Sequence, residues 1–306
     1  MTLTLRYATL VCFLLLLAPL STRAQESDVV QAEDPDFSSP QTVRKVTTVY
    51  GAKIHYLEAG TGPTIVLLHG LGGNSGDFTM NVTSLARKFR VVVPDQLGFG
   101  RSDKPLIEYR IGTYVDFLDR FLSSLKIERA SLVGNSLGGW IAASYTLAHP
   151  SRVERLVLID AAGFALPAGF DTKQLNGLNP STRDGIKQLI ERAFYNSAFF
   201  GSDAFVDAAL SQRINSGDGF TIKSVINLIA RREESIDDRL GAIKQPTLII
   251  WGRQDGIVPL ADGERFQREI PGSRLVVFDR CGHLPQVEKP LDFNNAVMGF
   301  LVAPRG

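Results

Sequence analysis

Along most of the chain, short runs of strand-forming residues alternate with longer stretches of helical periodicity. Residues 45–49 and 53–57, joined through Gly51, predict an opening hairpin. Thr64-Ile65-Val66-Leu67-Leu68 is continuously apolar, the pattern of a strand buried on both faces, and it runs into His69-Gly70-Leu71-Gly72-Gly73. The pattern then predicts a helix over 82–89, a strand over 90–94, an amphipathic helix over 111–125, a strand over 130–133, a helix over 140–148 and a strand over 155–159. A strand at 246–251, a helix at 261–270, a strand at 274–278 and a helix at 291–301 close the sequence. Strands and helices alternating in this way predict an α/β fold, a mostly parallel, doubly wound sheet covered on both faces. Catalytic groups in such sheets gather beyond the carboxyl ends of the strands.

The alternation breaks once. Residues 162–242 show helical periodicity, with candidate helices over 185–195, 203–215 and 221–232, and no convincing strand. Some eighty residues between two core strands read as a helical lid over the strand ends, dividing the core into 43–161 and 243–306. The lid is rich in phenylalanine (Phe164, Phe170, Phe194, Phe199, Phe200, Phe205, Phe220). Most of these serve its own small core, while one or two facing a pocket favour a small-molecule substrate with an apolar portion.

The first 42 residues follow neither pattern. Arg6 precedes an apolar run over 7–20, and Ser21-Thr22-Arg23-Ala24 ends on a small residue. This predicts a signal peptide over 1–24, cleaved after Ala24, and a secreted or periplasmic product. The run is short for a spanning helix, which needs about 20 residues, and an uncleaved membrane anchor is the alternative. Residues 25–42 are acidic and poor in large apolar residues, a flexible leader. Cleavage removes Arg6 and Arg23 and no acid, which takes the net charge from +1 to −1. Basic residues are spread rather than clustered, so nothing points to a nucleic-acid partner. Maturation also leaves Cys281 as the single cysteine, so no internal disulfide forms. The four histidines and this cysteine show no paired metal-ligand spacing. Asn81-Val82-Thr83 is a glycosylation acceptor in a eukaryotic host.

The densest chemistry lies at Gly134-Asn135-Ser136-Leu137-Gly138-Gly139, between a strand and a helix. Gly-x-Ser-x-Gly in that setting reads as a nucleophile elbow, a turn so sharp that the serine backbone is strained and its hydroxyl projects above the sheet. A serine hydroxyl needs a base to take its proton and a third group to hold the base. Of the four histidines, His55 lies mid-strand, His149 is at the wrong end of the elbow helix, and His69 opens the glycine loop and shapes it. His283, directly after the last strand, remains as the base. Asp255, after the 246–251 strand, is preferred as the orienting acid because Ser, acid, His is then the chain order; Asp160 is its competitor. The N–H of Leu137, at a helix start, and the N–H of Leu71, in the glycine loop, are the expected oxyanion donors.

Taken together these segments resemble the α/β-hydrolase fold family. The resemblance covers about residues 43–302 and rests on five motifs in order: 69–73, 95–102 (Asp-Gln-Leu-Gly-Phe-Gly-Arg-Ser), 134–139, 252–255 (Gly-Arg-Gln-Asp) and 282–283 (Gly-His). A serine at the elbow separates it from the dehalogenases and epoxide hydrolases of the family, which use aspartate. Asn135 and the 95–102 loop resemble carboxylesterases and the carbon–carbon bond hydrolases that cleave ring-fission products. In the latter, the resemblance implies that Asn135 binds a substrate carboxylate together with a lid arginine, for which Arg213 is the nearest match. Those enzymes usually carry tryptophan after the histidine and proline in the glycine loop, whereas this chain has Leu284 and no proline between His69 and Met80.

The expectation is therefore an exported serine hydrolase that cleaves carboxylic esters through an acyl-enzyme on Ser136 and needs no cofactor. Carbon–carbon hydrolysis and cofactor-free perhydrolysis are alternatives on the same residues, and a non-catalytic ligand receptor is the alternative from another class.

Overall fold

The computed structural model of the protein describes residues 41–304; the expected signal peptide and nearly all of the leader lie outside them. One eight-stranded sheet contains β1 (Val43–Val49), β2 (Ala52–Ala59), β3 (Thr64–Leu68), β4 (Arg90–Pro94), β5 (Ala130–Asn135), β6 (Val153–Ile159), β7 (Thr247–Gly252) and β8 (Arg274–Phe278), in the spatial order 1-2-4-3-5-6-7-8. β2 pairs antiparallel with β1 and β4, and every other pairing is parallel. Residues Ile65 to Leu68 of β3 are at most 1% exposed, which is why this strand reads as an unbroken apolar run.

The chain runs from β3 outward to β4, then crosses back over β3 to β5. The crevice between the carboxyl ends of β3 and β5 is thus the point where the winding reverses, and loops diverge there to leave room for a ligand. The 69–73 loop follows β3 and Ser136 follows β5, so topology alone brings these two motifs together.

Helices cover both faces. α1 (Thr79–Leu85) and α10 (Pro290–Val302) bury Val82, Leu85, Phe293, Val297 and Leu301 on one face. α2 (Ile111–Ser124), α3 (Leu137–Ala148) and α8 (Leu260–Glu269) pack the other, with Phe121, Ile141, Tyr145 and Phe266 among the fully buried side chains. A one-turn helix, α9 (Pro285–Glu288), precedes α10. Among the described residues no helix is long and apolar enough to cross a membrane.

Between β6 and β7 lie α4 (Arg183–Ala193), α5 (Ser197–Phe200), α6 (Asp203–Ser216) and α7 (Gly219–Ala230). Ile186, Ile190, Phe200 and Val206 form a small core of their own, against which Phe194, Phe199 and Phe205 pack. Phe194, Phe199, Phe200 and Phe205 thus serve the lid's own core, but all of these except Phe199 also border the cavity described below, as do Phe164 and Phe170, where one or two were expected to face a pocket. The lid is pinned to the body by polar contacts: Trp140 Nε1 donates to Glu234 O at 3.3 Å, Ile111 N to Glu234 Oε2 at 2.7 Å and Tyr109 N to Ser224 Oγ at 2.8 Å.

Local chemistry moves several boundaries from their expected places. α1 starts at Thr79 rather than 82, because a 3₁₀ turn over Ser75–Phe78, capped by the Asn74 side chain on Gly76 N, runs straight into it. α3 starts at Leu137 rather than 140, since the elbow glycines are its first turn. Asn81 is 0% exposed and donates to Gln286 O and Asn294 Oδ1, so the folded chain closes the glycosylation acceptor that its sequence spells.

Candidate active site

Ser136 sits at φ 54°, ψ −117°, a backbone conformation that costs a non-glycine residue roughly 1–3 kcal/mol and persists only when the surroundings enforce it. Here they do. A Cβ at Gly134 would lie 2.2 Å from Gly138 O, and one at Gly138 would lie 2.2 Å from Leu68 O. Strand, turn and helix are in backbone contact at both glycines, and the serine absorbs the bend. Its N–H donates to Ile159 O at 2.9 Å, tying the turn to β6.

His283 follows β8 and is 8% exposed. Its Nδ1 lies 2.7 Å from Asp255 Oδ2, and with Nδ1–H donated to the carboxylate, Nε2 is left as the basic nitrogen. Asp255 is itself held: its Oδ1 accepts from Ile257 N at 2.7 Å and Val258 N at 3.0 Å. The main chain of His283 is anchored at both ends, its N–H donating to Ala193 O at 2.7 Å and its carbonyl accepting from Asn135 Nδ2 at 3.1 Å. Ser136, His283, Leu71 and Leu137 line one cavity. The Ser136 hydroxyl makes no hydrogen bond among the described residues, a looseness common in ligand-free active sites.

Neither Leu71 N–H nor Leu137 N–H is taken by an acceptor among the described residues, and Leu137 begins α3, where the first amides point outward unpaired. The loop that carries Leu71 is set by His69. Gln96 N donates to His69 Nε2 at 3.0 Å, which makes Nδ1 the protonated nitrogen, 2.8 Å from Gly70 O. Burial holds this imidazole below its ordinary pKa, so it stays neutral and keeps both bonds. Asp95 braces the same loop from below, accepting from Ser75 N at 2.7 Å and Arg101 N at 2.9 Å. The 95–102 segment thus fastens the chain after β3, through Gln96 at His69 and Asp95 at Ser75, a role its composition did not reveal.

Two residues expected at the substrate are otherwise engaged. Arg213 gives its guanidinium to Asp218 and Asn179, and it is not part of the cavity lining. Asn135 does border the cavity, but its amide nitrogen donates to Ile159 O at 3.2 Å and to His283 O. Asn135 therefore ties β5 to the His283 loop. The pairing that a substrate carboxylate would need is not assembled.

Asp160, the competing acid, ends β6 and is 0% exposed, with one oxygen on Gly252 N at 2.9 Å. Asp160, Asp255 and His283 bring an oxygen, an oxygen and a nitrogen within 4.8 Å of one another. Asp255 already receives three N–H groups and its contact with His283 is a direct hydrogen bond, so this cluster has the donors of a triad acid rather than a vacant ligand set for a cation. Cys281 is buried, and burial raises its thiol pKa, so it is no competing nucleophile.

The cavity over Ser136 has a volume of about 1740 Å³, above the 300–1,000 Å³ or so typical of small-molecule sites, and Phe164, Phe170, Phe194, Phe200, Phe205 and Leu175 give it an apolar wall.

The family model described as the alpha/beta hydrolase fold matches residues 63–290. The chain is similar to the 2-hydroxy-6-oxononadienedioate/2-hydroxy-6-oxononatrienedioate hydrolase of Cupriavidus pinatubonensis, with 35% identity over 292 residues, 89% of this chain and 99% of the relative. Among solved structures it is similar to a variant of a meta-cleavage product hydrolase, with a TM-score of 0.77, 30% identity, and coverage of 84% of this chain and 97% of that one. It is similar also to a membrane phospholipase A described as a bacterial virulence factor, with a TM-score of 0.73, 27% identity, and coverage of 85% and 86%. Motifs, topology and relatives agree, and the chain belongs to the α/β-hydrolase fold family.

Proposed function

We propose that this hydrolase cleaves carboxylic esters with an extended apolar portion, through an acyl-enzyme on Ser136. The observation that carries the reading is a strained serine bordering a large, mostly apolar cavity that His283 also lines, with the imidazole held from behind by Asp255. In this reading Ser136 Oγ attacks the ester carbonyl as its proton passes to His283 Nε2. The Leu71 and Leu137 amides receive the oxyanion, and each such donor is worth about 3–4 kcal/mol of barrier. The imidazolium then protonates the departing alcohol, and a water deprotonated by the same imidazole releases the acid. Asp255 keeps the imidazole in the tautomer that both steps need. The phospholipase named among the structural neighbours is an ester hydrolase, which supports the same reading.

A second reading, hydrolysis of a carbon–carbon bond next to a ketone, is favoured by the names of the curated relatives, and favoured by them more strongly than ester cleavage is. It needs the same nucleophile and the same oxyanion donors. Against it stand Arg213, whose two terminal nitrogens are given to Asp218 and Asn179, and Asn135, whose amide nitrogen is given to two carbonyls. Export through residues 1–24 belongs to the ester proposal as well.

The test is turnover of p-nitrophenyl esters of graded acyl length beside a vinylogous keto-dienoate, together with labelling by a fluorophosphonate. Ester turnover that rises with acyl length, and falls by about 10⁴-fold or more in Ser136→Ala, is the expected result. Preferred turnover of the keto-dienoate would select the second reading, and an unlabelled Ser136 would overturn both.

A further inference from the structure

Two carboxyl groups meet behind His283, and only one of them has the surroundings of an anion. Asp255 accepts three N–H groups, from Ile257, Val258 and His283. Asp160 accepts one, from Gly252 N, and its Oδ2 is buried with no hydrogen-bond partner among the described residues. A bare carboxylate oxygen in that position would be a desolvated charge facing another charge. One oxygen of Asp160, one of Asp255 and an imidazole nitrogen lie within 4.8 Å of one another, so the Asp255 carboxylate is the acceptor that a hydroxyl on Asp160 would turn to.

The backbone shows that this placement is enforced. Asp160 stands at φ 41° directly after β6, and its N–H donates to Ile250 O at 3.0 Å. Positive φ on a non-glycine residue is costly. The chain accepts that cost at a fully buried aspartate one strand away from the acid that the Ser-acid-His order selects. Removing the charge from water twice over, for Asp160 and Asp255 together, would cost far more than sharing one proton.

We propose that Asp160 is a protonated positioning residue, whose Oδ2–H donates to Asp255 and so fixes the carboxylate that orients His283. The proton sits on Asp160 because Asp255 holds the three N–H donors that stabilise an anion. The titratable groups facing Asp160 are Asp255 after β7, His283 and Cys281 after β8, and Glu288 of α9; Lys289 is the cation beside Cys281. Burial first, and then the Asp255 charge, hold the Asp160 carboxyl well above the usual carboxylate range, with Glu288 adding to the effect. Asp255 and Asp160 then carry one negative charge between them, enough to stabilise one imidazolium without leaving an anion unpaired.

The inference rests on Ser136, Asp255 and His283 as the reacting triad, and the test separates the two. Asp160→Asn is close to an isosteric copy of the protonated acid: its amide oxygen can accept from Gly252 N–H and its NH₂ can donate to Asp255. Turnover in Asp160→Asn is expected within about threefold of wild type, with the acid limb of the kcat/KM profile unmoved. Asp160→Ala removes the donor and is expected to lower kcat about tenfold or more with little change in KM. Infrared difference spectra of wild type minus Asp160→Asn at about pH 9 are expected to show the carbonyl stretch of a protonated carboxyl, shifted by D₂O. This band reads the proton on Asp160 whether or not any ester is turned over, whereas fluorophosphonate labelling reads the triad.

An acid limb displaced by a full unit in Asp160→Asn would overturn the proposal, since it would mean that a negative charge had been removed beside His283. Absence of the infrared band would overturn it equally. Should Asp160→Asn fail to fold, the wild-type band is read in a Glu288→Gln background at about pH 9, where Asp77 and Asp262, with pKa values raised to about 7 and about 6, have ionised. A band that persists there supports the protonated Asp160, and its absence refutes it.

Discussion

Arg213 reaches Asp218 and Asn179 from the last turn of α6, and the Asp218 side chain is only 1% exposed. A buried carboxylate whose partner is cut away is left uncompensated, at a cost of about 3–5 kcal/mol. Arg213→Ala should therefore lower the unfolding midpoint of the protein while leaving KM for uncharged esters nearly unchanged; a selective rise in KM for carboxylate-bearing substrates would instead return Arg213 to the pocket. The difference between the expected and observed roles of this arginine has a plain cause. Charge and position on a helix can be read from sequence, but which acid five residues away folds back to claim the guanidinium cannot. That Ser136, Asp255 and His283 lie at the carboxyl ends of strands was legible because each follows a strand that announces itself by its apolar residues, and strand ends share one side of a parallel sheet. Asn135 was legible as a residue at the site and illegible in its contacts, which run to carbonyls of β6 and of the loop after β8.

At the scale of the element, the elbow is a three-way backbone contact among β3, β5 and α3. Gly138→Ala would drive a Cβ to 2.2 Å from Leu68 O and 2.6 Å from His69 O, backbone atoms at the carboxyl end of β3 and just beyond it. The expected outcome is a loss of about 3 kcal/mol, the upper end for overpacking, read as a shift in urea midpoint, with labelling of Ser136 lost in whatever fraction still folds. The sheet, its order of alternation and the helices that cover it were written into hydrophobic periodicity, because each element buries a single stripe or a whole strand. Helix starts were not. α1 and α3 begin where a capping asparagine and an elbow allow, and these are decisions of one side chain or one turn rather than of a repeating pattern.

At the scale of the molecule, the lid and the residues of the proposed triad share their fastenings. The end of α4 gives Arg192 O to Gly256 N at 3.1 Å, one residue beyond Asp255, and Ala193 O to His283 N at 2.7 Å. Glu288 joins the same seam, accepting from Tyr195 N at 2.9 Å and from Gly282 N at 2.7 Å. An insertion of two glycines after Ala193 would shift both carbonyls and should lower kcat by about 10²-fold, since an error of about 1 Å in a reacting group costs that much. The same insertion after Gly169, an exposed position with nothing within 4 Å of its would-be Cβ, should leave kcat nearly intact. Equal losses from the two insertions would show that the seam does not set the chemistry.

That seam also constrains how such a chain can acquire a new substrate range. A lid exchanged whole with a relative would arrive with its own Arg192 and Ala193 carbonyls and re-aim the acid and the base, so specificity and turnover would be inherited as one trait. Changes confined to wall phenylalanines outside the seam, Phe164, Phe170 and Phe205 but not Phe194, leave those fastenings alone, and they are the route by which substrate preference can drift while the chemistry stays in register.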